Sequence, residues 1–353
     1  MNRFDYIRPS SVAEAIEAAI PGSALLAGGT NLVDLMKAGV ARPTRVVDIT
    51  RLPGLDRIEW LGDGGVRIGA LVRNSDLAHD SRFARAFPAV AEAVLSGASP
   101  QLRNAARLGG NLMQRTRCAY FLDTASACNR RRPGSGCDAR DGENRQLAVL
   151  GWSEHCIATH PSDVCVPLVA LDAMVEVAGP NGVRDFSLDG LHRLPNATPE
   201  HETNLAPGEI IVGLRIPGDA VRYRDHSRYL KLRERTSFAF ALVSAAAALE
   251  FDGDRIRSAR VALGGVAAKP WRALDAENVL SGATISEESF YRAAAAALAG
   301  AAPSGDNEFK IELARRLVQR ALLVAAAGTP DVMPALPASP FSVEMRVGES
   351  HVA

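Results

Sequence analysis

The stretch LLAGGTNL (25–32) leaves an apolar strand signal, passes through Gly28-Gly29 and enters a helix start at Asn31. Consecutive glycines let backbone N–H groups turn toward one point, and a helix N-terminus adds partial positive charge, so the segment reads as an anion cradle. Taken alone, the same pair also reads as a plain tight turn. A second glycine turn, Gly109-Gly110-Asn111, lies in LRNAARLGGNLMQRT (102–116). Two such cradles suit a pyrophosphate held from both sides. The formal dinucleotide pattern at Gly134-Ser135-Gly136-Cys137-Asp138-Ala139 follows Arg-Arg-Arg-Pro instead of a strand. It lacks the context that gives the pattern meaning and is rejected.

Working outward, SVAEAIEAA (11–19) reads as a helix after a Ser cap, NLVDLMKAG (31–39) as a helix ending at Gly39, and RVVDI (45–49) as a strand. VRIGALV (66–72) is a strand signal, and FARAFPAVAEAVLSG (83–97) an amphipathic helix ended by Gly97, with Pro88 tolerated near a helix start or at a kink. Residues 113–145 lose the apolar period and become rich in Arg, Gly and Cys. Pattern returns in VPLVALDAMVEVAG (166–179) and in the alternating strand EIIVGLRIP (209–217). Turn-rich residues from His192 to Gly208, and then PGDAVRYRDHSR (217–228), close a first unit near residue 220. Beyond it, SFAFALVSAAAALEFDGDRIRSARVALGGVA holds two or three strands with DGD as a turn, followed by helices near 272–281, 286–300 and 308–327. The expected organisation is α+β: a domain over 1–220 made of two subdomains with a Cys-rich insertion at about 117–156, a second α+β domain over 221–328, and a Pro-rich tail over 329–353. The tail reads either as disorder or as an arm laid over a partner subunit.

With 40 basic and 40 acidic residues, 47% hydrophobic and 23% charged, the chain has an ordinary globular balance. Nothing in it calls for nucleic acid or an anionic membrane. No run of about 18 apolar residues occurs, and MNRFDYIRPSSVAEAIEAA lacks the apolar core of a secretory signal. Neither a membrane span nor an export signal of its own is expected.

All five cysteines fall between Cys118 and Cys165. An odd count in a chain of this size argues against a disulfide framework and points to a metal. The spacing C-x9-C-x8-C-x18-C of Cys118, Cys128, Cys137 and Cys156 is unlike the short C-x2-C runs of ferredoxins or zinc ribbons, so spacing alone identifies neither metal. Free buried cysteines remain a reading too. Cys165, at the edge of an apolar run, reads as a small buried hydrophobe. His155 and His160 flank Cys156 and leave a mixed His/Cys site as a lesser alternative. No Ser-His-Asp set, H-E-x-x-H or P-loop lysine motif appears.

Taken together, LLAGGTNLVDLMK, RNAARLGGNL, THPSD and YLKLRERTSFAFALVSAAAAL resemble the FAD-binding subunit of the molybdenum hydroxylases, the family of xanthine dehydrogenase, carbon monoxide dehydrogenase and bacterial aldehyde oxidoreductases. The likeness covers roughly residues 1–330. It implies an FAD-binding domain of the p-cresol methylhydroxylase/vanillyl-alcohol oxidase type and a C-terminal domain of the carbon monoxide dehydrogenase flavoprotein type. In most of these flavoproteins a Ser-Asp motif soon follows the GGNL-like segment. Here an insertion separates Thr116 from Cys156, similar to the one in aldehyde oxidoreductase and 4-hydroxybenzoyl-CoA reductase flavoproteins that binds a 4Fe-4S cluster. The resemblance therefore implies Cys118, Cys128, Cys137 and Cys156 as cluster ligands. Arg115, Arg117 and Arg130 to Arg132 then either offset the thiolate charge and hydrogen-bond sulfur or form an exposed basic loop.

For FAD the resemblance implies that Leu26, Ala27, Gly28, Gly29, Thr30, Asn31, Leu32 and Val33 wrap the pyrophosphate, with Gly109, Gly110 and Asn111 on the second side. Arg107 stands where the family has Thr or Ser, and it either pairs with the pyrophosphate or points to solvent. Thr116 falls where a polar residue lies near the cofactor. Asp163 is expected to accept hydrogen bonds from cofactor hydroxyls, or to cap the following helix. Ile211 packs either on the ring system or in the core only. Lys231 is expected at the pyrimidine edge of the isoalloxazine, where reduction places negative charge, with an exposed strand position as the alternative.

The implied function is that of an electron-transfer flavoprotein subunit. A partner with molybdenum cofactor oxidises an aldehyde, a second partner carries 2Fe-2S clusters, and electrons pass through FAD to an external acceptor. Such subunits form a heterotrimer or its dimer. Related hydroxylases or reductases acting on xanthine, carbon monoxide or 4-hydroxybenzoyl-CoA, a stand-alone flavin oxidase, and a non-enzymatic metal-containing sensor are the alternatives. Without its own signal, the subunit is expected in the cytoplasm, or in the periplasm by co-export with a signal-bearing partner.

Overall fold

A computed structural model describes residues 1–334 and 336–340. Among the described residues three sheets organise the chain. The first is parallel, with Arg45–Asp48 between Asp5–Ile7 and Ser23–Leu26. Its short strands are linked by two helices. Val12–Ala18 is capped by the Ser11 side chain, which accepts from the Glu14 N–H, and Leu32–Lys37 follows Asn31.

The second sheet is antiparallel and runs Ile58–Trp60, Val66–Gly69, Ile210–Ile216, Met174–Gly179, Gly182–Ser187. Its central strand Ile210–Ile216 is buried along nearly its whole length, because helices cover the face that Val66, Ile68, Val175, Val177 and Leu214 present. The stretch expected as one helix over 83–97 is two, Ser81–Ala86 and Pro88–Ser96. Pro88 has no N–H to give back to a preceding turn, so it begins a new helix at Phe87 instead of bending an old one.

The third sheet is antiparallel, in the order Trp271–Arg272, Arg255–Gly264, Val243–Asp252, Ser227–Leu232. The turn Asp252-Gly253-Asp254 joins the two long strands, and Gly253 takes φ +62. Helices Leu274–Leu280, Glu287–Ala297 and Phe309–Ala327 bury Ala293, Leu317, Ala321 and Leu322 against this sheet in a core of their own. The strand Ser227–Leu232 was not read from periodicity. Its residues are buried apart from the last, so no alternation marks it.

One residue of the described tail is packed into the chain, whereas Val332 and Leu336 are exposed. Ala338 is fully buried. Its carbonyl accepts from the Lys231 N–H and its N–H donates to Glu92 Oε1 at 3.2 Å. Residues 335 and 341–353, which belong to the expected tail, lie outside the described residues. Among the described residues no helix is long and apolar enough to cross a membrane.

Candidate functional site

The first glycine turn packs against residues 105–106, just ahead of the second glycine pair, which lies in the short helix Leu108–Leu112 and not in the turn expected from the sequence. A Cβ built on Gly28 would sit 2.1 Å from the Ala105 carbonyl oxygen, and one on Gly109 would sit 3.0 Å from Ala70 Cβ. Glycine is therefore required for the first turn to lie against residues 105–106. Asn31 ties the two segments together, its Oδ1 accepting from the Arg115 N–H at 3.2 Å. Its Nδ2 is buried without a partner.

Beside this junction opens a groove of about 590 Å³, within the range of a cofactor-sized site. Thr30, Asn31 and Asn111 line it from the first domain, Asp163 and His160 from the segment after the insertion, and Lys231 from the third sheet. Among the described residues, four atoms on its lining are buried with no partner: Asn31 Nδ2, Arg117 Nε, His160 Nε2 and Ser162 Oγ. Buried polar groups in native proteins are normally satisfied. Orphaned donors around a groove next to a glycine junction fit a polar, anionic cofactor such as FAD.

Lys231 is buried, not exposed, and its Nζ donates to Asp163 Oδ2 at 2.8 Å and to the Ser96 carbonyl at 3.3 Å. The Asp163 carboxylate also accepts from the Tyr229 hydroxyl at 2.6 Å. It does not cap the helix Cys165–Ala170, which begins at Val164 with no side-chain cap. Burial, and then the Asp163 charge, push the Tyr229 phenol well above its ordinary pKa, so it stays a donor.

Several expected residues fall elsewhere. The Gly109 N–H is donated to the Ala70 carbonyl and the Val33 N–H to the Gly29 carbonyl, so neither is free for a ligand. Of residues 26–33 only Thr30 and Asn31 line the groove; Leu26, Ala27, Gly28, Gly29, Leu32 and Val33 do not, and neither do Gly109 and Gly110. Arg107 neither lines the groove nor points to solvent. It is half-buried beside Arg73, with Nη1 donating to the Leu71 carbonyl at 3.2 Å. Thr116 is buried in the wall of the cysteine cavity, its Oγ1 accepting from the Cys118 N–H at 3.3 Å. Ile211 belongs to the core under the second sheet. Groove residues that sequence reasoning missed include Asn74, Gln114, Phe238 and Phe240. The last two sit in SFAF, whose apolar run reads as a strand, yet both are exposed, and Phe238 takes φ +51.

Cys118, Cys128, Cys137 and Cys156 line one small cavity. The loop that carries them has little apolar material, and side chains take up its backbone groups in place of regular structure. Asn129 Oδ1 accepts from the Gly136 N–H at 2.9 Å, Ser135 Oγ from the Cys128 N–H at 3.0 Å, and Asp138 Oδ2 from the Ala127 N–H at 2.7 Å. Arg131 donates to the Tyr120 and Phe121 carbonyls at 2.8 and 2.7 Å. Cys128 and Cys137 face each other across an antiparallel bridge. Burial pushes the Cys118 thiol up to about 11 and raises Cys137, and the neighbouring cysteines add to both shifts. At neutral pH the Cys118 side chain is therefore a thiol, and a metal bound there would displace its proton. Cys118 lines the groove as well, so the two sites share a wall.

Cys165 is buried in the core, as expected of a small hydrophobe, and burial holds its thiol up at about 12. It also has polar neighbours: the ligand-type atoms of His160, Cys165 and His192 lie within 4.8 Å of one another. The His192 ring contacts the Leu112 carbonyl through Nε2 at 2.7 Å. Burial lowers the pKa of His192 to about 4 and that of His160 well below its usual value, the latter helped by His192 and Arg130. Both imidazoles are therefore neutral. His155 is at the cysteine cavity, apart from this trio.

Residues 2–219 match the family described as FAD binding domain in molybdopterin dehydrogenase, and residues 228–325 match the CO dehydrogenase flavoprotein C-terminal domain. The chain is similar to the aldehyde oxidoreductase FAD-binding subunit PaoB of Escherichia coli K12, with 48% identity over 93% of this chain and 99% of that one. It is also similar to the nicotine 6-hydroxylase medium subunit of Paenarthrobacter nicotinovorans, with 30% identity over 92% and 98%. Among solved structures, reconstituted CO dehydrogenase from Oligotropha carboxidovorans superposes with a TM-score of 0.73 at 26% identity, covering 93% of this chain and 99% of that one. Quinoline 2-oxidoreductase from Pseudomonas putida 86 gives 0.71 at 25%, covering 92% and 98%.

Proposed function

Because this chain belongs to the family of FAD-binding subunits of the molybdopterin dehydrogenases, we propose that it is the electron-transfer subunit of a molybdenum-containing aldehyde oxidoreductase. In this reading it carries FAD in its groove and a 4Fe-4S cluster on Cys118, Cys128, Cys137 and Cys156. The observation that carries the reading is the gathering of four thiols around one cavity that shares Cys118 with the groove. Four thiolates would be the ligand set for such a cluster, and these four cysteines line one cavity. The aldehyde preference is supported by the likeness to the aldehyde oxidoreductase subunit.

FAD, when bound, exchanges electrons singly with iron–sulfur partners and in pairs with an acceptor. The chain's own residues prepare the place for that chemistry. Lys231 keeps a buried positive charge at the groove wall, where it favours the added negative charge of a reduced ring, and Asp163 with the Ser96 carbonyl fixes its Nζ. Thr30, Asn31 and Asn111 offer polar contacts near the glycine junction. The closely packed segments 27–31 and 105–111 hold those contacts at one spacing.

The partners in this proposal are a molybdenum-cofactor subunit that oxidises the substrate and a 2Fe-2S subunit that relays its electrons. Assembly would take place in the cytoplasm, before any export by a signal-bearing partner. Anaerobic co-purification with analysis of FAD, iron, acid-labile sulfide and molybdenum tests the whole reading. A complex with all four supports it, and flavin without iron in this subunit removes the cluster.

A further inference from the structure

Arg130 comes from the cysteine-rich loop, yet its side chain is only 5% exposed. Its Nη1 lies 2.9 Å from Glu202 Oε2, and it lines the four-cysteine cavity together with Cys156, with its Nε buried and without a partner among the described residues. Glu202 is shared: Arg115 Nε donates to its Oε1 at 2.6 Å while the Arg115 guanidinium lies over the Phe121 ring. Two guanidinium groups on one carboxylate leave one positive charge unbalanced in a half-closed place. A buried charge without a counter-charge is costly, and the cavity that Arg130 lines is the one lined by Cys118, Cys128, Cys137 and Cys156. A neutral thiol would not balance that charge, whereas a set of thiolates around a metal cluster would.

We propose that Arg130 is a positioning residue of the four-cysteine site, biasing the cluster toward its reduced state, with Glu202 limiting how much of that positive charge the cluster feels. This rests on the reading that the cysteines bind a 4Fe-4S cluster. Reduction adds one electron from an external reductant to the cluster. No bond to Arg130 forms or breaks, and its proton stays in place. The reduced form carries one more negative charge, so it gains more from a nearby guanidinium than the oxidised form does. Hydrogen bonds to cluster sulfurs act in the same direction.

The two partners therefore have opposite signs, which separates an electrostatic role from a structural one. In the intact complex, iron and acid-labile sulfide are first measured for the wild type and for Arg130→Gln, Arg130→Lys and Glu202→Gln. An EPR-monitored reductive titration under anaerobic conditions then gives the ratio of reduced to oxidised cluster at fixed potential. Arg130→Gln is expected to lower that ratio about tenfold, equivalent to roughly 59 mV for one electron. Arg130→Lys keeps the charge and stays near the wild type, and Glu202→Gln raises the ratio. Shifts of the same sign in Arg130→Gln and Glu202→Gln, or no shift in cluster-replete variants, overturn the inference while leaving the cluster in place. Should Arg130→Gln fail to hold iron, the Arg130→Lys and Glu202→Gln results decide. A wild-type complex without cluster iron in this subunit overturns the cluster reading and this inference with it.

Discussion

Replacing Gly28 by alanine tests the glycine junction at its tightest point. The added Cβ would sit 2.1 Å from the Ala105 oxygen, 2.8 Å from its carbonyl carbon and 3.0 Å from Ala106 Cα. All three are backbone atoms, which cannot swing aside as a flexible side chain can. Since a carbon–oxygen contact settles at about 3.3 Å or more, the turn at 28–31 must retreat from residues 105–106 by roughly 1 Å. Overpacking of this kind costs about 3 kcal/mol at the upper end of its usual range, which for a domain of this size lowers Tm by roughly 6–12 °C. The retreat also separates Thr30 and Asn31 from Asn111, so FAD affinity should fall about tenfold to a hundredfold, the effect of 1.4–2.8 kcal/mol.

Gly110→Ala is the contrasting variant, because no atom lies within 4 Å of the Cβ built there. Because Gly110 lies in the helix Leu108–Leu112, the variant should leave the melting temperature of the flavin-free chain unchanged or slightly raised. Thermal melts of flavin-free protein and fluorescence titration with FAD measure both effects. A Gly28→Ala protein with the wild-type Tm and a full flavin complement would show that the contact with residues 105–106 neither limits stability nor shapes the flavin site.

Lys231→Met removes the cation from Asp163 and leaves a buried carboxylate with only the Tyr229 hydroxyl. A loss of about 3 kcal/mol in stability and a lower flavin reduction potential are expected, read by denaturant melts and by potentiometry. His192, held at about 4 by burial, binds a proton in the unfolded chain before it does so in the folded one. Its stability contribution is therefore complete above pH 6.5 and is lost as pH falls toward 4. The loss is about 3 kcal/mol and steepens in the same direction through His160. A pH series of melts should show this acid loss shrink in His192→Gln. Cys118→Ser should abolish bound iron, whereas Cys165→Ala should retain it, as measured by iron and sulfide analysis of anaerobically prepared protein. Equal iron loss in both would contradict the assignment of ligands.

What could be read in the sequence follows from what is local. Gly28 is legible because only glycine fits where a carbonyl lies so close, and Cys118, Cys128, Cys137 and Cys156 stand out against a loop with no apolar period. The long helix Phe309–Ala327 and the turn at Gly253 were visible for the same local reasons.

The groove is different, because its contacts join residues far apart in the chain. Asp163 meets Lys231, 68 residues further along the chain, and Asn31 meets Arg115, 84 residues further along. Spacing carries no trace of such pairs. Thr116 and Ile211 have the right residue types for a cofactor contact, yet tertiary packing turns the first toward the cysteines and the second into the core. Ser227–Leu232 hid because a strand buried on both faces does not alternate. Arg130 could be noticed as one of several arginines. Its partner Glu202 lies in a turn-rich segment that nothing in the sequence links to the insertion.

Iron, acid-labile sulfide and FAD determined together on one anaerobically purified sample decide whether four cysteine sulfurs and a flavin serve side by side in this chain. Four irons, four sulfides and one FAD for each copy of this chain, over and above the partner's clusters, is the predicted result. Flavin with zinc in place of iron, or flavin with four alkylatable thiols at these positions, would contradict it.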